Sequence, residues 1–448
     1  MRRLIIASAL VGWLQVTPVA AGVQITIYND NLALVKDTRQ LDYQRGIFDL
    51  AFTDVASAID ATSVSFAAVR SPGEVILLEQ NYRYDLVSSE RILEKYIDKT
   101  IRVMNKEGKV HEGVLLAADP AALTLRLPDG GLVIISRTEI VDLSFPSLPE
   151  GLITRPTLVW KLNSNLEGKH ASEVRYLTSQ ISWNAQYVAN IAASEDALDL
   201  SGWVSIDNHS GATYDDAAIK LIAGDVNRVR PPMPRGKAAM EMLAYADAAG
   251  FEERTFFEYH LYTLDRPSTI RDNEIKQLSL FAPARVKAQK IFTYDGARDN
   301  TKVRVSMEFM NSKEAGLGIP LPRGTIRVMK ADTDGSLEFV GEDQIDHTPK
   351  DEKVRAFLGN AFDIVGERVQ TAQRNISSRV SEEDFVIKLR NHKTETVVVT
   401  VIEHNYGDWR IVQESHKHTK KDAAKAEWEI TVPADGETVL TYTARRTW

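Results

Sequence analysis

The chain has 448 residues, with 54 Lys and Arg against 62 Asp and Glu, a formal net charge of −8, and no Cys. An acidic surface repels phosphate backbones, so no nucleic-acid partner is expected. The lack of Cys removes disulfides, thiolate metal sites, cysteine nucleophiles and iron–sulfur clusters together. At this length roughly two to four domains are expected, and 44% apolar content belongs to a globular chain.

Arg2 and Arg3 precede an apolar run from Leu4 to Leu14, then Pro18-Val19-Ala20-Ala21-Gly22. Charged, apolar and small-residue zones in that order predict a signal peptide over 1–21. The run is shorter than the roughly 20 residues a membrane helix needs, and no Cys follows for a lipid anchor. No later run reaches about 18 apolar residues, so no transmembrane segment is expected after signal cleavage. Without Arg2 and Arg3 the balance becomes 52 basic against 62 acidic residues, and a periplasmic or secreted bacterial protein of the cell envelope is expected.

From Val23 onward the pattern has period two. Gln24 to Tyr28, Leu32 to Leu41, Ile47 to Phe52, Ser63 to Val69 and Val75 to Leu78 read as strands of a domain over 22–90. Ser88 to Ile97 reads as a short helix capped by Ser88 or Ser89, with Ile92, Leu93 and Tyr96 inward. Thr100–Asn105, Lys109–Ala118, Ala122–Arg126, Leu132–Ser136 and Ile140–Phe145 follow, separated by Gly and Asp turns. Their layout resembles a small SH3/Sm-like barrel, assigned to 91–146. The turn Asp119-Pro120-Ala121 lacks the aromatic and Asn that Sm-type proteins use for RNA, so this module is read as a spacer or docking unit.

Pro146, Pro149, Gly151 and Pro156 mark a linker, after which a sandwich is expected over 157–229. A flexible loop or linker is expected over 230–255, from the Pro-rich start at Arg230 and the Ala- and Met-rich continuation to Gly250. A β domain over 256–379 and a C-terminal sandwich over 380–448 complete the chain. The expected fold class is mainly β and multi-domain, with Ig-like β-sandwiches and the small inserted barrel. An outer-membrane barrel is rejected. Tyr442, Ala444, Arg446 and Trp448 share one face, and an Arg on a lipid face costs roughly 2–4 kcal/mol.

Five stretches carry a family resemblance. They are Tyr28-Asn29-Asp30-Asn31-Leu32-Ala33-Leu34-Val35-Lys36-Asp37, Glu79-Gln80-Asn81-Tyr82-Arg83-Tyr84-Asp85-Leu86, Ile181-Ser182-Trp183-Asn184-Ala185-Gln186-Tyr187, Asn208 to Tyr214 with Ala223 to Asn227, and Leu321 to Gly324 with Asp346 to Pro349. The chain resembles exported bacterial β-rich proteins of unknown function related to the mucoidy inhibitors. The resemblance implies an all-β envelope protein and carries no activity or catalytic residue.

Trp183, Asn184 and Tyr187, with Asp207 and Asp225 at adjoining strand ends, are the candidate ligand-binding surface. Aromatic faces stack on sugar rings while amides and carboxylates take hydroxyls. The competing reading places Trp183 and Tyr187 in a sandwich core. Asp207, Asp215 and Asp225 are also candidate carboxylates for a glycan hydrolase or a calcium loop, against ordinary turns. Asp332-Thr333-Asp334-Gly335-Ser336 lacks the later ligands of an EF-hand and reads as a hairpin turn. His404, His416 and His418 lack the further ligands of a zinc site, and no elbow, phosphate loop or dinucleotide motif is present. No catalytic residue, metal or cofactor is assigned. A non-catalytic scaffold that binds an envelope polysaccharide or protein partner is expected, with a glycan hydrolase using paired Asp carboxylates as the alternative.

Overall fold

The computed structural model describes residues 22–149, 152–224, 226 and 259–448, and 251–256 for their backbone alone. The expected signal peptide, Asp225 and residues 230–250 lie outside the described residues, and the end of the loop expected over 230–255 is instead a strand, Phe251–Phe256, paired with Tyr259–Leu264.

The described chain is built from strands, with one seven-residue α-helix, Ser89–Lys95, and two short 3-10 turns. Burial alternates along the strands, as in Ile181–Ile191 and Val380–Asn391, because successive side chains leave opposite faces of a pleat. An eight-stranded sheet takes Gly22–Tyr28 and Leu32–Tyr43 together with Gly168–Thr178 and Tyr214–Ala223. Within it Gly22–Tyr28 runs parallel to Tyr214–Ala223 and antiparallel to Leu32–Tyr43. A three-stranded sheet sets Thr157–Ser164 between Gly46–Thr53 and Val75–Arg83. Its inner face stacks Trp160 on Phe52 and Phe66, with ring centroids 5.4 and 4.8 Å apart.

These strands share one core with Ile181–Ile191, Ala197–Asn208 and Gly324–Ala331, holding Ile25, Val35, Trp160, Trp183, Tyr187 and Val328. The expected boundary between 22–90 and 157–229 is therefore not a boundary of packing. The strand 168–178 completes its sheet on 32–43, and 214–223 completes its sheet on 22–28.

A thirteen-stranded sheet joins this body to the C-terminal one. Glu274–Tyr294 and Lys353–Ser377 are long enough to serve both cores. Leu278, Val286 and Val354 lie in the first core, while Phe292, Tyr294 and Ile364 lie in the second with Trp428 and Tyr442. Register slips occur where Gly202 faces Phe281 on the long strand. Pro283, which cannot donate to a ladder, sits beside this bulge. A Cβ on Gly202 would lie 2.2 Å from the Phe281 ring, so the site requires glycine.

Residues 89–144 form a separate module with its own core of Leu93, Tyr96, Ile101, Val103, Leu115 and Leu125, among others. Ser88 caps its helix, accepting a hydrogen bond from the Arg91 amide at 3.2 Å. All five expected strands are present in one antiparallel sheet, with Thr100–Asn105 between Ile140–Ser144 and Val110–Ala118. Ala122–Arg126 and Leu132–Ser136 follow. The edge strands 132–136 and 140–144 do not pair with each other, so the hydrogen-bonded sheet is open where the expected barrel would close. Among the described residues, no helix is long and apolar enough to cross a membrane.

Candidate functional site

The expected aromatic platform is not assembled. Trp183 and Tyr187 occupy alternate positions of one strand and both point into the first core. The Trp183 indole N–H donates to the Ile222 carbonyl at 3.1 Å, and the Tyr187 hydroxyl donates to the Pro322 carbonyl at 2.7 Å. Each ring thus buries its apolar body and satisfies its polar tip inside the protein. Asn184, one residue from Trp183, faces the opposite way and accepts from the Gln186 side-chain amide at 2.5 Å. Asp207 lies at the end of its strand, 3.0 Å from His209. Hydrogen bonding to Asn273 and the nearby Asp207 carboxylate raise the His209 pKa. Asp225 lies outside the described residues.

The other weighed constellations resolve locally. In the Asp332–Ser336 turn the Gly335 amide donates to the Asp332 carbonyl and the Ser336 amide to Asp334 Oδ1. His416 contacts Ser415 and His418 contacts Glu414, while His404 pairs with Asp295, just past the end of the strand Glu274–Tyr294. Among the described residues no group of three or more His, Cys, Asp or Glu side chains is placed to hold a metal ion.

Asp215 leads to a better-formed site, a cleft of about 630 Å³ on the first body. A volume of roughly 300–1,000 Å³ is the range of small-ligand pockets. The strand 32–43 supplies Val35, Asp37 and Arg39 to it, three side chains that share a face because they are two residues apart. Tyr176 comes from the next strand, Asp54 and Val55 from the end of 46–53, and Arg155 and Pro156 from the linker out of the small module. The loop before Tyr214 closes the wall.

The charged groups of the cleft are largely committed to one another. Asp37 is only 4% exposed, and Arg39 Nε lies 3.0 Å from each of its carboxylate oxygens. The same guanidinium donates from Nη1 to the Thr53 carbonyl at 2.9 Å and lies 4.1 Å over the Phe52 ring. Arg155 reaches Asp54 at 2.8 Å. Burial pushes the Tyr176 hydroxyl well above its ordinary pKa and that of Tyr214 up to about 12. Both phenols are therefore neutral, able to donate and accept hydrogen bonds. Tyr214 contacts Ser210 Oγ at 2.9 Å. Gly211 has a φ of +78°, and a Cβ there would sit 1.5 Å from Ser57 Oγ, so only glycine lets the two loops meet.

The cleft offers apolar walls and paired charges, with the Tyr176 and Tyr214 rings, each 2% exposed, packed beneath its surface. Of the expected residues it contains Asp215 alone; Trp183, Asn184, Tyr187 and Asp207 are elsewhere. The one sequence signal for it was Asp37-x-Arg39 on the inward register of an otherwise apolar strand. The fold and cleft define a mainly β protein of several sheets with an open, mixed-charge cleft. No protein-family model and no curated protein matches this chain.

Proposed function

We propose that this protein is a non-catalytic, exported scaffold of the bacterial cell envelope that holds a polymer or protein partner in the cleft around Asp37, Arg39, Tyr176 and Tyr214. The signal-peptide pattern over 1–21 and the resemblance to relatives of the mucoidy inhibitors support the envelope setting. One observation carries the choice of binding over hydrolysis: Asp37 and Asp54 are each paired with an arginine. A glycoside hydrolase needs one carboxyl held protonated as a general acid and a second as base or nucleophile. Here the oxygens of both carboxylates are taken up by hydrogen-bond donors of Arg39, Arg155 and Thr53, so they do not stand free to face a glycosidic bond.

The test runs binding and turnover side by side. Mature protein is titrated with envelope glycan and with envelope-protein extract while reducing-end release is followed. Binding without release is expected, weakened by Arg155→Ala. Release of reducing ends that stops in Asp215→Asn would replace the scaffold reading with the hydrolase.

A further inference from the structure

A second cleft lies where the two large bodies meet, and no expected function has used it. It comprises two adjoining cavities of about 340 and 500 Å³, both lined by Arg298, Asp299, Arg304 and Phe357. The first adds Asp295 and His404, and the second adds Lys302 and Asn360. The long strand 274–294 ends at its floor, and Lys302–Met310 and 353–377 form its wall.

Its polar groups are unevenly committed. The Arg304 guanidinium lies 4.2 Å over the Phe357 ring, and among the described residues no carboxylate lies within ion-pair distance of Arg304 or Lys302. Stacking fixes the guanidinium plane while leaving its fork of donors open, an arrangement suited to a carboxylate or a phosphate. Arg355, by contrast, is spent on Glu308. On the acidic side, Asp295 is 6% exposed, and its Oδ2 lies 2.7 Å from His404 Nε2. Its Oδ1, like Asp299 Oδ2, is buried without a hydrogen-bond partner. Buried acceptors without donors are uncommon and point to a donor supplied from outside the chain.

The two sets of groups exclude simple occupants. A bare anion satisfies Arg304 and Lys302 but leaves Asp295 Oδ1 and Asp299 Oδ2 without donors, since the other Asp295 oxygen is already taken by His404 and Arg298. For a metal cation, no three carboxylate or histidine side chains among the described residues converge on one point, and Arg304 faces the site. A ligand that carries both an oxyanion and hydroxyl donors satisfies both sets. Phe362, 96% exposed, stands two residues beyond Asn360 in the irregular part of its strand, where register slips against 302–310. Bulges re-aim side chains in this way, and an exposed ring offers a face for a pyranose.

We propose that this second cleft binds a polyhydroxylated anion, a sugar bearing a carboxylate or phosphate group. Arg304 and Lys302 grip the oxyanion, and Asp295 and Asp299 take hydroxyl hydrogens. The site is separate from the Asp37 cleft, so either can fail without the other.

Calorimetric titration of the mature protein tests it with four probes: a glucuronate oligosaccharide, a phosphorylated glucose oligosaccharide, the neutral glucose oligosaccharide of equal length, and inorganic phosphate. At least one anionic sugar is expected to bind, more weakly in high salt, and the tighter one identifies the source of the oxyanion. Arg304→Ala should weaken it about tenfold and Arg304→Lys by less, since lysine keeps the charge and loses the fork. Asp299→Asn should weaken the sugar but not inorganic phosphate. Arg304 is exposed, so its variants should melt with the wild type. Equal binding of the neutral oligosaccharide, unchanged affinity in Arg304→Ala, or inorganic phosphate binding as tightly as the sugar would each overturn the proposal.

Discussion

Trp183 and Asn184 are neighbours in sequence and opposites in energy. Trp183 is buried with its N–H bonded to the Ile222 carbonyl, so Trp183→Ala leaves a cavity and an unsatisfied acceptor. A loss of about 3–5 kcal/mol in chemical denaturation is expected. Asn184→Ala, on the exposed face, should stay within about 0.5 kcal/mol of wild type. A larger loss for Asn184→Ala than for Trp183→Ala would mean that the strand is turned over. Period-two alternation shows that Trp183 and Asn184 face opposite ways. It does not show which side is solvent, because the pleat alternates in the same way whichever face meets the core. Acid sensitivity also belongs to single residues. Burial acts to raise the Glu308 carboxyl, but hydrogen bonds from Lys353 and Arg355 outweigh it and hold its pKa below the ordinary value. The folded value thus lies below the unfolded one, about 4.3. Its stabilisation is present above that pH and is lost as pH falls through the folded value. Melting temperature should be flat from about pH 7 to 5 and decline below about pH 4. Glu308→Gln should melt lower at neutral pH and lose part of that decline. A mutant whose decline matches the wild type would remove Glu308 as a contributor.

Strands were the most legible elements. The expected runs over Thr100–Asn105, Ala122–Arg126 and Leu132–Ser136 coincide with the observed strands, and the Ser88 cap and the inward Leu93 and Tyr96 agree with the helix. Local periodicity and turn chemistry determine such elements, and both can be read from neighbours. Pairing cannot, because the hydrogen-bonding edge of a strand carries no side-chain signature. The parallel pairing of 22–28 with 214–223 and the barrel-like layout that remains open both turn on pairing. The same limit hid the Asp37 cleft, whose members come from six separated segments. The bulge at Gly202 gives an element-scale test. Gly202→Ala drives a methyl into the Phe281 ring and should cost about 1–3 kcal/mol by overpacking. Adding Phe281→Leu should recover part of that loss in the denaturation midpoint. An additive double mutant would mean that the two residues do not meet.

At the scale of the whole molecule, the order of segments along the chain and the order of packing differ. The small module interrupts the first body between the strands 75–83 and 157–164, and its ends are held together at their base. The Val87 amide donates to the Ile153 carbonyl at 3.0 Å, and the Ile153 amide donates to the Asp85 carbonyl at 3.1 Å. The chain therefore leaves and re-enters the first body at one point, which is the geometry of a tolerated insertion. Replacing residues 88–149 with a short Gly-Ser linker should leave a protein that melts cooperatively and keeps its tryptophan near-ultraviolet bands, since no Trp lies in the replaced segment. Truncation at the next strand should behave in the opposite way. A chain of 157–448 lacks Ile25, Ile27 and Val35 from the first core, and Phe52 from against Trp160. It also leaves the edges of 168–178 and 214–223 unpaired, and exposed edges of this kind associate. It should be insoluble or lack a cooperative transition, while the linker-joined protein remains soluble. Loss of the transition in the linker-joined protein, with cooperative unfolding of 157–448, would reverse the assignment: the first body would then depend on the small module rather than on the strands before it.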